Sequence, residues 1–137
     1  MKALSVATVR NFAVMGHVGT GKTSLVDAFA FKLGLNDKLG SVANGTSVGD
    51  FTDEEKARKT TLFSTSFDAP FEHNDAMYRM IFVDTPGFGD FYGQVLGAAS
   101  ACDFALITVD ATAGIQAGTI RAWDACAKNG IRAIGLV

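Results

Sequence analysis

The chain has 137 residues, enough for one domain, and its 48% hydrophobic and 19% charged composition is that of a globular protein with material for a core. A net charge of −2 gives no sign of a strongly basic nucleic-acid surface, so DNA is not expected as a partner, while a small RNA-contacting patch stays open. No run nears the roughly 18 apolar residues that span a bilayer, and Met1 to Arg10 is too short for a signal-peptide core, so no membrane is expected and the default compartment is the cytoplasm.

Phe12-Ala13-Val14-Met15 is a short apolar run ending in glycine and reads as a buried strand. From Lys22 to Leu33, Leu25, Phe29 and Leu33 recur at helical spacing with Val26 and Ala30 beside them, and Gly34 stops the helix. Gly34 to Thr60 follows neither period. It holds Gly34, Gly40, Gly45 and Gly49 and the charged run Asp53-Glu54-Glu55-Lys56, which reads as a solvated face. So long a connection predicts a mobile lid, with one short helix near Asp53 to Arg58.

Leu62 to Phe67 has strand composition, Glu72-His73-Asn74-Asp75 reads as a turn with His73 solvated, and Tyr78 to Val83 is the next strand, antiparallel to the one before. A glycine-rich turn follows at Asp84 to Gly89, then a small-residue helix from about Phe91 to Ala101 and a buried run from Phe104 to Val109. Ile115 to Lys128 is helical. Ile120, Trp123 and Ala127 share one side, which predicts Trp123 in core packing, and Asn129-Gly130 ends the helix. Ile131 to Val137 is a last strand. Cys102 and Cys126 lack metal-ligand spacing, lie in apolar stretches, and read as reduced core thiols in a reducing compartment. Strands and helices taking turns predict an α/β sheet.

One motif carries chemistry on its own. Gly16-His17-Val18-Gly19-Thr20-Gly21-Lys22-Thr23 matches G-x-x-x-x-G-K-[ST], after an apolar run and before a helix, as the phosphate-binding loop requires. Successive backbone N–H groups cradle phosphates only where side chains stay out of the way, hence the glycines. The helix start adds free N–H groups and the positive end of its dipole. Lys22 can place its ammonium between β- and γ-phosphates, the Thr23 hydroxyl can ligate Mg2+, and Ser24 belongs to the same nucleotide-binding set. In His17 the backbone is expected to matter more than the ring. The bland alternative is a plain strand–turn–helix.

Asp84-Thr85-Pro86-Gly87 ends a strand. Asp84 can reach the Mg2+ directly or through water, and the Gly87 N–H can meet the γ-phosphate. Thr60 and Thr61 close the long loop. A threonine there ligates Mg2+ only while a γ-phosphate is present, which is an order–disorder switch.

Together these residues resemble the translational GTPases, most closely the elongation factor G group. Arg10-Asn11-Phe12, the phosphate loop, Asp50 to Leu62 with Arg58-Lys59-Thr60-Thr61, Asp84 to Phe91, and Asp110-Ala111-Thr112-Ala113-Gly114-Ile115-Gln116 carry the likeness along nearly the whole chain. The resemblance implies a three-layer P-loop G domain, mostly parallel with one antiparallel strand at about Leu62 to Phe67. It implies GTP and GDP as nucleotides, Mg2+ held by Thr23, Thr61 and, through water, Asp84, GTP hydrolysis coupled to translation, and the ribosome as partner of a monomeric protein. Catalysis would rest on Lys22, Gly87 and the position of Phe88. Three departures stand out. The family's Arg-Gly-Ile-Thr is Arg58-Lys59-Thr60-Thr61 here. A frequent aspartate that helps hold a monovalent cation is Gly19. The histidine that positions the attacking water is Phe88, which has no polar atom. The guanine-reading Asn-Lys-x-Asp would follow the last strand, so residues 1–137 are expected to form part of a G domain. Two other readings remain open: a GTP-binding module with little hydrolysis, favoured by Phe88, and a P-loop ATPase or kinase.

Overall fold

A computed structural model describes residues 5–137; of the stretch Met1 to Arg10 weighed as a leader, residues 1–4 lie outside it. In chain order the elements are β1 (Val9–Gly16), α1 (Lys22–Lys32), α2 (Asp53–Arg58), β2 (Thr65–His73), β3 (Ala76–Asp84), α3 (Tyr92–Ala101), β4 (Phe104–Thr108), α4 (Ala117–Asn129) and β5 (Arg132–Leu136), with a short 3-10 turn, Gly89–Phe91, leading into α3. The five strands form one sheet in the order β2-β3-β1-β4-β5. All neighbours are parallel except β2 with β3, which is the mixed α/β sheet expected. Among the described residues no helix is long and apolar enough to cross a membrane.

β1 is buried on both faces because it lies between β3 and β4 with helices above and below. Its alternation divides the core. Phe12 and Val14 face α1, where Val26, Phe29 and, just past the helix end, Leu33 cover them. Ala13 and Met15 face α3 and α4, where Ala98, Ala99, Ala122, Ala125 and Cys126 pack. On the α1 side the register aligns Phe67, Phe82, Phe12 and Phe104 across four strands. Successive rings stack with centroids 5.1, 5.9 and 5.1 Å apart, and Phe29 meets Phe12 and Phe82 edge-on. Each such pair adds about 1 kcal/mol beyond area burial.

Two expectations are corrected. β2 runs Thr65–His73, not Leu62–Phe67, since Leu62 and Phe63 are held by side chains described below rather than by a ladder. The hairpin then closes tightly: Asn74 and Asp75 both take positive φ, 50° and 60°, the geometry of a two-residue turn that suits the strand twist. His73–Ala76 is therefore the closing hydrogen-bonded pair, and alternation makes Pro70–Arg79 a pair without ladder bonds. Pro70, lacking an N–H, thus sits on an edge strand with its nitrogen facing outward. The second correction is on α4. Trp123 is 60% exposed and Ile120 53%, while Ala122, Ala125 and Cys126 face the sheet and α3. Small residues let the helix approach closely, and that close approach selected the buried stripe over side-chain size. Cys102 and Cys126 are buried and unpaired.

Candidate functional site

Parallel strands bring their C-terminal ends together. Val14 of β1 is in register with Asp84 of β3, and Gly16 with Thr108 of β4. The loop between β1 and α1 therefore starts beside the loop after β3. Gly16 has φ 145°, and a Cβ there would lie 2.5 Å from the Thr108 carbonyl oxygen, so only glycine fits. Inside the loop the Thr20 hydroxyl donates to the His17 carbonyl at 2.8 Å and bonds the Thr108 hydroxyl at 2.7 Å. α1 opens on Gly21 without a side-chain cap, which leaves its first N–H groups free to bind an anion.

Lys22 is buried and curls back so that Nζ donates to the His17 carbonyl at 2.6 Å. Burial lowers its pKa to about 8, against the pull of the Asp84 charge. Gly87 lies so near that a Cβ would come within 2.6 Å of Lys22 Nζ and 2.7 Å of the Val18 backbone. A cleft of about 200 Å³ opens here, lined among others by Val18, Gly19, Ser24, Thr60, Lys59 and Phe88. Phe88 is 44% exposed and brings only its ring to the cleft.

Behind the cleft lies a group of oxygens. Thr61 Oγ1 donates to Asp50 Oδ1 at 2.8 Å, and since it has one proton, the 2.8 Å contact between the two threonines is donated by Thr23. Among the described residues neither Asp84 oxygen, nor Asp50 Oδ2, has a hydrogen-bond partner, although both residues are buried. Burial pushes the Asp84 carboxyl up to about 7, with the nearby Lys22 charge opposing. Burial also raises the Asp50 pKa, opposed by its hydrogen bond from Thr61. Two hydroxyls and orphaned buried carboxylates are an all-oxygen donor set that fits Mg2+, which prefers one or two carboxylates and keeps its waters. Among the described residues no group of three or more His, Cys, Asp or Glu forms a metal site by itself. A cation here would therefore draw on hydroxyls, water and ligand oxygens.

Part of the segment from Gly34 to Thr60 is tied down beside this group by buried carboxylates. Asp27 of α1 accepts from the Val48 amide at 2.9 Å and the Ser47 hydroxyl at 3.1 Å. Glu55, expected on a solvated face, is fully buried. It accepts from the Thr52 amide and hydroxyl, closing a capping box at the start of α2, and from the Leu62 and Phe63 amides at 3.0 and 3.1 Å. Those bonds hold its pKa below the usual carboxylate range despite the burial that raises it. Gln94 of α3 accepts from the Ser64 amide and donates to the Leu62 carbonyl at 2.7 Å. Asp27 and Gln94 had no role in the sequence reading, and Asp50 and Glu55 had no individual one. The pattern Thr52-x-x-Glu55 was the available signal for Glu55; nothing in spacing or composition pointed to Gln94. The His17 ring is also used: its Nδ1 accepts from the Gly118 amide at 3.2 Å, at the start of α4.

Residues 7–137 match the family described as the elongation factor Tu GTP binding domain. The chain belongs to this family. Within it, the chain is 31% identical over 137 residues to elongation factor G 2 of Streptomyces coelicolor, covering 100% of this chain and 19% of that protein. It is 33% identical over 120 residues to the mitochondrial ribosome-releasing factor 2 of Anopheles gambiae, covering 88% and 16%. A solved protein from Thermus thermophilus superposes with a TM-score of 0.82 at 38% identity, over 94% of this chain and 19% of that one. The bacterial selenocysteine-specific elongation factor EF-Sec, at 24% identity and a TM-score of 0.67, over 92% of this chain and 19% of that one, shares the fold. The chain thus spans about a fifth or less of the length of these relatives. It is a GTP-binding domain of the elongation factor G-like kind, and these matches favour neither an ATPase or kinase nor a binding-only module.

Proposed function

We propose that this domain binds GTP and GDP with Mg2+ at the Gly16–Ser24 loop, hydrolyses the β–γ phosphoanhydride, and uses the two nucleotide states to drive a step on the ribosome. The observation that carries the reading is the buried Asp84 carboxylate, without a hydrogen bond, beside the Thr23–Thr61 hydroxyl pair and the buried Lys22 ammonium. Buried charges of both signs at an uncapped helix start are costly alone and suit a polyanion with its cation.

The roles follow from position. Amides from Gly16 through Gly21, with His17, Val18, Gly19 and Thr20 between, wrap the β-phosphate, and the amides of Thr23 and Ser24 continue the cradle. Lys22 exchanges the His17 carbonyl for phosphate oxygens. Thr23 and Thr61 would hold the cation by their hydroxyls, and Asp84 would support it through water. When bound, Mg2+ neutralises charge on the β- and γ-phosphate oxygens. Gly87 offers its N–H to the γ-phosphate. Hydrolysis removes that acceptor, and Thr61 is then released with its loop. Phe88 supplies no polar atom to hold the attacking water, so unassisted turnover is slow. The names of the relatives, elongation factor G and ribosome-releasing factor 2, support the ribosome as the partner that raises it, with the domain acting as a monomer in the cytoplasm by default.

Fluorescent GTP, GDP and ATP analogues titrated into the full-length protein with and without Mg2+, followed by single-turnover hydrolysis with and without ribosomes, test the reading. Guanine nucleotides should bind, ATP should fail to compete, and ribosomes should raise the rate. Equal ATP and GTP affinity, or Mg2+-independent binding, would overturn it.

A further inference from the structure

The chain leaving Thr61 is gripped from two sides, and the two grips differ in origin. Glu55, which takes the Leu62 and Phe63 amides, belongs to α2 and so to the lid itself. Gln94 does not. It sits in the first turn of α3, where its carboxamide accepts from the Ser64 amide and donates to the Leu62 carbonyl at 2.7 Å. Those backbone groups form a donor and an acceptor two residues apart, and the carboxamide answers both at once, whereas a carboxylate lacks the donor and an aliphatic chain lacks both.

α3 is also the element that follows the second loop. From Gly87 the chain passes Phe88 and the single turn Gly89–Phe91 and enters α3 at Tyr92. Gln94 lies seven residues after Gly87, on a rigid helix, and three residues after Thr61 the Ser64 amide is bound to it. We infer that Gln94 is a positioning residue that couples the two loops, so that Thr61 closing on Thr23 and Gly87 seating at the end of the phosphate chain occur as one event. The inference rests on the proposed role of Thr61 as a ligand present only in the triphosphate state. Gln94 does not line the cleft. It acts through the backbone at Leu62 and Ser64.

Two variants of the full chain test this. Gln94→Leu removes both bonds at nearly constant volume. Gln94→Glu keeps the acceptor for Ser64 and sets a second oxygen against the Leu62 carbonyl. Each should weaken a non-hydrolysable GTP analogue about tenfold, which is about 1.4 kcal/mol, and raise the Mg2+ concentration for half-saturation of that complex by a similar factor. GDP affinity should stay within twofold, because the diphosphate does not engage Thr61 or Gly87. Amide exchange at Gly87 to Gly89 in the analogue-bound form should speed up in both variants. GTP analogue and GDP weakened alike, or neither weakened, would overturn the coupling, as would loss of folding in both variants, which would make Gln94 a purely structural clamp. If Gln94→Leu alone fails to fold, Gln94→Glu decides. Thr61→Ala separates the premises. If it leaves analogue affinity and Mg2+ dependence unchanged, the reading of Thr61 fails. If it weakens the analogue selectively while the Gln94 variants do not, the coupling alone fails.

Discussion

Phe88 stands at the mouth of the cleft, 44% exposed, next to the glycine proposed to sense the γ-phosphate. Histidine is similar in size and adds a donor and an acceptor to a side chain already reaching the right place. Phe88→His should therefore raise single-turnover GTP hydrolysis at least tenfold on ribosomes while nucleotide affinity stays within twofold; an unchanged rate would show that water is held by another group. Lys22 gives a second prediction. Burial lowers its pKa to about 8, so above that pH the free protein carries a neutral amine facing the site. Phosphate favours the ammonium. Triphosphate affinity should fall as pH rises through about 8, and calorimetry at pH 8.5 in buffers of different ionisation enthalpy should show proton uptake on binding. The glycines of the site were legible in the sequence because backbone crowding leaves few choices: Gly16 against the Thr108 carbonyl and Gly87 against the Val18 backbone admit no Cβ. Asp50, Glu55 and Gln94 were not, because acidic and amide side chains usually mark a solvated surface and only the tertiary fold shows what they accept.

At the level of elements, the lid departs from its sequence reading in where its acidic residues lie: Glu55, expected on a solvated face, is buried. Low periodicity and four glycines read as a mobile segment, and three buried acidic residues, Asp27, Asp50 and Glu55, organise part of it. Glu55 anchors both the start of α2 and the chain after Thr61. Glu55→Gln keeps the shape but replaces charge-assisted acceptors with a group that also carries donors, at a cost of about 2 kcal/mol in urea unfolding at pH 7. The sign of its pH dependence is set. The folded-state pKa lies below the ordinary value of 4.5, so the stabilisation is present above about 4.5 and is lost as pH falls through the depressed value. The gap between wild type and variant should thus narrow in acid. α4 teaches a related lesson. Its large residues, Ile120 and Trp123, form a regular stripe, but the stripe that packs is made of Ala122, Ala125 and Cys126. Hydrophobic period found the helix; the closeness of the neighbouring surfaces chose its face.

Across the whole molecule the sheet carries the architecture, and its character, mostly parallel with one antiparallel strand, was legible from alternating strands and helices together with family resemblance, while its strand order was not. A row of aromatic rings at one register, Phe67, Phe82, Phe12 and Phe104, ties four strands to each other and, through Phe29, to α1. Phe12 sits at the centre with three ring contacts and 3% exposure. Phe12→Ala should destabilise by about 4 kcal/mol in denaturant titration, and because β1 leads directly into Gly16, nucleotide affinity should fall with it. β2 closes one side of this sheet, and Pro70 turns a nitrogen with no hydrogen toward the open margin. A strand from another molecule arriving there would find the row of backbone donors interrupted at that position, which weakens pairing along this margin.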